Sequence, residues 1–231
     1  MKLFASLLAA ASISTAAAIA VPASAQVQGN MATVNLPAAV INTNAFVTAY
    51  QQIATTYKPQ LDTIRAREQE AQTLLQQLDT NSDNQFDEAE QRAAQGSSQQ
   101  TRLQAIEQEV TQLTDQVEAA RVYAVEQILV QYRPALEQVV QQLNVQVILS
   151  PESVIYAPPQ ANITQQVTAA LNTSVPSVAI VPPQNWRPSR NVLAVYQQIS
   201  QTIAAAQAIQ AQQQAAQAAQ QQPATQTPAG R

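Results

Sequence analysis

The 231-residue chain contains no cysteine, so nothing in it can form a disulfide, and an exported chain of this length must be held by packing or by association of copies. It contains no histidine either, which removes the commonest acid–base group of enzymes and the commonest ligand for zinc or copper. Three glycines leave no loop able to cradle a phosphate, and with no nucleophile signature the chain is not expected to be an enzyme. Aromatic residues make up 4% of the chain and charged residues 11%, so a single core of ordinary density is not expected. The formal charge is −4, and without clustered Lys or Arg no nucleic-acid partner is expected.

What the chain has in abundance is Ala and Gln, the material of long helices that bury a narrow stripe. Residues 1–25 carry the three parts of a secretory signal peptide: Lys2, an apolar stretch, and the small-x-small sequence Ala23-Ser24-Ala25. Export with cleavage after Ala25 is expected. No later stretch is long and apolar enough to span a bilayer, so the exported chain is not expected to be membrane-spanning.

Residues 26–45 read as a leader and a first body strand, Thr33–Leu36, stopped by Pro37. Residues 46–143 read as an antiparallel helical hairpin. Its outgoing half has apolar residues at Phe46, Tyr50, Ile53, Tyr57, Leu61 and Ile64, mostly three or four apart, with a kink expected at Pro59. The returning half runs Leu103, Ile106, Val110, Leu113, Val117, Ala120, Ala124, the 3-4 alternation of a coiled-coil seam. At ~1.5 Å per residue the two halves would span about 50–65 Å. Residues 144–183 return to body character, with strands at Val145–Leu149 and Val154–Ala157, a short helix opening at Asn162, and a further strand candidate at Val178–Val181. An additional helix is expected over 184–209, and residues 210–231 read as a low-complexity Ala/Gln tail, disordered or weakly helical. The fold class is thus α+β: a small β body from which a long helical coiled-coil hairpin projects.

The tip of that hairpin, residues 79–90, is acidic. Numbered from Asp79, oxygen-bearing side chains fall at positions one, three, five, nine and twelve: Asp79, Asn81, Asp83, Asp87 and Glu90. Gln85 at position seven offers a backbone carbonyl, and Phe86 at position eight is apolar. This is the EF-hand spacing, in which alternate residues of a tight loop turn oxygens onto Ca2+ and the last Glu binds with both of its own. Asn84 stands where the loop usually has Gly, although Asn tolerates positive φ well. The alternative is a solvated acidic turn, since Asp, Asn and Ser favour turns on their own account.

Three features in order resemble the Skp (OmpH-like) family of periplasmic chaperones: the Val34-Asn35-Leu36 strand, the heptad hairpin, and the run Val147-Ile-Leu-Ser-Pro-Glu-Ser-Val-Ile-Tyr156 followed by Ile163-Thr164 and a helix to Leu171. The resemblance covers residues 31–175. It implies a homotrimer with a β body at one end, whose arms enclose unfolded outer-membrane proteins in transit through the periplasm, and no catalytic residues. One departure is plain: family members often line their arms with Lys and Arg, whereas residues 46–140 here carry seven basic and fourteen acidic side chains. The expected function is therefore an ATP-independent periplasmic holdase, with Ca2+ at the arm tip. The competing expectation is a calcium-responsive exported coiled-coil binding or structural protein.

Overall fold

The computed structural model describes residues 30–81, 85 and 87–221. The expected signal peptide and the end of the tail lie outside that set. The described residues are mostly helical, with one two-stranded sheet.

Strand β1 (Asn30–Thr33) pairs with β2 (Val145–Leu149) in parallel, with Ala32 opposite Ile148 and Thr33 opposite Leu149. A parallel pair cannot be closed by a tight turn and needs a long crossover. Here everything between the two strands serves as that crossover. The Thr33 carbonyl also accepts the Ile163 N–H (2.9 Å), which ties the later body segment to the same strand.

The chain does not stay extended to Leu36 as its β-branched run suggests. Asn35 caps a short helix, α1 (Leu36–Ile41), by accepting the Ala38 N–H at 2.9 Å. Pro37 sits in the first turn, where its missing N–H has no helical partner to lose. Thr43, fully buried, caps α2 (Asn44–Thr56): its hydroxyl accepts the Phe46 N–H and donates to the Val40 carbonyl. Beyond α2 the effect of Pro59 is stronger than a kink. The helix stops at Thr56, Tyr57 leaves helical geometry, and α3 (Lys58–Leu78) begins with Pro59 in its first turn.

After the tip come α4 (Glu88–Ala94) and then α5 (Ser98–Gln142). Gly96, at φ 78°, lies in the turn between them, and the Ser97 hydroxyl caps α5 by accepting the Gln100 N–H. Forty-five residues at ~1.5 Å each make α5 about 68 Å long, and it runs through Pro134 without interruption. It returns antiparallel to α3, since Arg67 meets Glu109 while Glu70 meets Arg102. Asn144 then adopts positive φ (51°), a conformation Asn accepts more readily than most residues, and turns the chain into β2.

Helix α6 (Thr164–Ser174) follows, with the Thr164 N–H donated to the Asn162 side chain. Helix α7 (Arg190–Gln221) packs its first turns against α1 and α5 and continues through the Ala/Gln repeat to Gln221 instead of ending near residue 209. Ala is the best helix former and Gln a good one, so the composition that looked featureless favours helix.

Two apolar clusters result. The larger lies at the base and joins α1, α2, α5, α6 and α7 through Val40, Phe46, Ile128, Val167, Leu171 and Ile199. The smaller lies where the arm leaves the base, around Ile53, Val117 and Ala120.

Two expected strands do not form. Val154 is extended, at φ −114° and ψ 115°, and Ile155 bends, but no segment among the described residues pairs with this run. A β conformation is stable only with a neighbour, and one copy supplies none there. Val178–Val181 bends at Ile180 and Val181 and does not join the sheet; the Ala179 backbone bonds instead to a side chain of α5.

Candidate functional site

With no histidine or cysteine to build a reactive centre, the surfaces with functional character are the arm, its tip and the body's open face. The arm comes first because of what it leaves uncovered. Among the described residues, α3 contributes none that is fully buried, although it packs along α5. Its apolar residues Leu61, Ile64, Ala71 and Leu74 remain half-exposed and Leu75 more so. Leu75, Ala71, Leu103, Ile106 and Val110 line a shallow groove of about 500 Å3 between α3 and α5 near the tip.

The two helices are aligned by charge. Arg67 donates to Glu109 (2.7 Å) and to Glu70 (2.9 Å), and Arg102 holds the same Glu70 with two bonds of 2.6 and 2.9 Å. Arg102, by its hydrogen bonds, and then Arg67 hold the Glu70 carboxyl at about 2 against an ordinary 4.5. Paired, solvent-facing charges of this kind fix register better than they add stability. They also engage Arg67 and Arg102 within the arm.

At the tip the structure describes five of the six candidate ligands, and they differ in exposure and partners. Glu90 is the buried one, 3% exposed. Its carboxylate accepts the Thr80 N–H (2.6 Å), the Thr80 hydroxyl (3.1 Å), the Asn81 N–H (3.3 Å) and the Asp87 N–H (3.3 Å). Asp87 accepts the Ala89 and Glu90 N–H groups, so the pair forms a capping box that starts α4. Asp79 ends α3, its N–H donated to the Leu75 carbonyl, and Asn81 and Gln85 are exposed. Asp83, with Ser82, Asn84 and Phe86, lies outside the described residues. Among the described residues no three acidic side chains come together at metal-binding distance. Glu90 and Asp87 spend their oxygens on backbone donors, and Glu90 draws the start and end of the loop to one point.

The body's open face is apolar. Ile155 and Tyr156 project from it, 106% and 87% exposed. Beside them a groove of about 500 Å3 is lined by Met31, Leu143, Val145, Leu149 and Val154. The sequence marked this run as a strand, and its exposure follows from the missing neighbour.

The comparisons bear on this arrangement. The family model described as "Outer membrane protein (OmpH-like)" matches residues 30–171, from the first strand through the arm to the end of the short helix. The chain belongs to the OmpH-like family. That membership supports a chaperone role, and the family is in general non-enzymatic. One solved structure, a candidate outer-membrane chaperone (OmpH-like) from Caulobacter crescentus CB15, shares 18% identity over 68% of this chain and 91% of its own, with a TM-score of 0.47. No match is found among curated protein sequences. No helix among the described residues is long and apolar enough to cross a membrane.

Residues 172–221 of this OmpH-like chain lie beyond the family match. They carry contacts that periodicity did not reveal: Gln127 with Ala179, Glu126 with Trp186, and Glu118 with Tyr196. Trp186, the one tryptophan, was the available signal that the segment packs on something.

The Glu70 carboxyl yields a pH prediction. A carboxyl whose folded pKa is depressed contributes stability that is complete above its unfolded pKa, near 4.5, and is lost as pH falls through about 2. Carboxyl-resolved NMR titration is expected to find Glu70 titrating near 2. Arg102→Gln is expected to return it toward 4.5; Glu70 titrating near 4.5 in the unaltered chain would contradict the ladder.

Proposed function

We propose that this protein is an ATP-independent holdase of the periplasm, which keeps unfolded outer-membrane proteins from aggregating. Family membership supports the chaperone class. The observation that carries the finer reading is α3, a 21-residue helix packed on its neighbour without a fully buried residue. An apolar stripe held half-open along an arm offers many weak contacts to extended apolar segments. Such contacts shield the unpaired strand edges through which β-barrel precursors associate. They need no nucleotide, because release requires only that the client fold elsewhere. Export to the periplasm follows from the signal-peptide pattern of residues 1–25.

The working unit is a homotrimer. The apolar, unpartnered run at Ile155 and Tyr156, beside a two-stranded sheet with open edges, supports assembly through the body. The arms then project from a common base. At each tip, Ca2+ bound by Asp79, Asn81, Asp83, Asp87 and Glu90, with the Gln85 carbonyl, stiffens the reversal between α3 and α4. What supports this is the loop spacing and the convergence of both loop ends on Glu90. Binding requires the Glu90 carboxylate to exchange its N–H donors for the cation.

Three measurements follow. Diluted from urea with the mature chain, an outer-membrane β-barrel protein is expected to stay soluble without nucleotide. Aggregation unchanged at a large excess of chain refutes the holdase. If calcium also produces a large conformational change there, the calcium-responsive binding protein takes its place. Light scattering is expected to give three copies, and Ile155→Asp with Tyr156→Asp a folded monomer; a monomeric parent removes the trimer. Calcium is expected to raise the melting temperature of the parent but not of Glu90→Gln, with about 2.7 kcal/mol added at a hundredfold excess over Kd. A parent melting temperature indifferent to calcium removes the tip site.

A further inference from the structure

Residues 175–203 lie beyond the family match, yet they are fastened to the arm at successive levels. Among the described residues, the arm has a mechanical weak point near the base. On one side the helix is broken at Tyr57, between α2 and α3, while on the other α5 passes without interruption. A helix pair yields where one helix is broken, because only the other's backbone bonds resist bending there.

That break lies inside the smaller apolar cluster. Ile53 precedes it, Tyr57 and Leu61 flank it, and Val117 faces it from α5. The side chains that close the cluster come from the C-terminal segment: Val178 and Ile180 pack against it. Between them Ala179 is fixed by both of its backbone groups. Its N–H donates to Gln127 Oε1 (3.0 Å), and its carbonyl accepts from Gln127 Nε2 (2.8 Å). The Gln127 amide thus stands in for a neighbouring strand, which holds an extended segment against a helix.

Further anchors stop the segment from peeling away. The Trp186 indole donates to Glu126 Oε2 (2.6 Å), and its ring meets Tyr123 edge-on at 5.3 Å. In α7 the Tyr196 hydroxyl donates to Glu118, whose other oxygen accepts from Arg121 (2.5 Å). Ile199 is fully buried in the base core.

We infer that residues 175–203 form a splint across the Tyr57 break, which fixes the angle between the outer arm and the base. Both ends of this segment, Val175 and Ile199, sit in the base core while Val178 and Ile180 pack at the break, so loss of the Ile180 and Gln127 contacts frees the arm and leaves the base closed. Its consequence for client access rests on the holdase reading: the splint sets how widely the arms open.

The absence of native cysteine makes spin labelling direct. In the full mature chain, diluted with unlabelled copies, labels at Gln76→Cys and Gln166→Cys report the distance from outer arm to base, and labels at Gln141→Cys and Gln166→Cys report the base alone. The parent is expected to give a narrow arm-to-base distribution. The double variant Ile180→Ser, Gln127→Ala is expected to broaden it about twofold or more, while the base pair stays unchanged. A parent distribution already broad overturns the splint, as does a narrow distribution in the variant. If the double variant disturbs the base pair, Gln127→Ala alone is read by the same criteria. A chain that protects no client but shows this broadening loses the holdase reading and keeps the splint.

Discussion

The parallel pairing of β1 with β2 is the constraint on which the rest depends. Two strands of four and five residues lie side by side only because the intervening chain leaves the base and returns to it. Parallel geometry rules out a short turn, so the excursion has to be long, and a pair of helices is the cheapest long excursion in conformational terms. The base core then closes around both feet of that excursion, with Phe46 from the outgoing helix and Ile128 from the returning one, and α6 supplies Val167 and Leu171. The arm is therefore a projection from a closed base.

Along the arm the apolar residues become sparser and the charges take over. Near the base α5 buries Ala120, Val122, Ala124, Val125 and Ile128 in close succession; toward the tip it buries only Val117 and Ile106. From there register is held by the Arg67–Glu70–Arg102–Glu109 ladder and the loop is closed by Glu90. An arm built this way is ordered by directional contacts and leaves its apolar stripe partly open. That combination suits a surface that must hold extended chains loosely and let them go. The excess of acidic over basic side chains means that grip would come from apolar contact, with the arginines already paired within the arm.

Much of this was legible in the residues. The 3-4 spacing from Leu103 to Ala124 marked the course of α5, and the steps from Phe46 to Ile64 marked α2 and α3, though not the full break at Tyr57. The acidic spacing from Asp79 marked the reversal, though not that Glu90 would be committed to backbone donors. What was not legible has a common cause, namely partners distant in sequence. Val178–Val181 and Val154–Ala157 have the β-branched composition of strands, but one is held by a glutamine side chain of α5 and the other has no pairing neighbour among the described residues. Helix α1 was hidden because Pro37 signals the end of a strand and the first turn of a helix equally well, and only the Asn35 cap decides between them.

The pairing of the first and second strands can be tested within a single molecule, because the natural chain contributes no cysteine of its own. With Thr33→Cys and Leu149→Cys introduced together, mild oxidation is expected to form a disulfide inside one chain, seen as a reducible, faster-migrating monomer on a denaturing gel. Absence of any link, or linkage only between separate chains, would contradict the closed base from which the arm and the proposed splint are both derived.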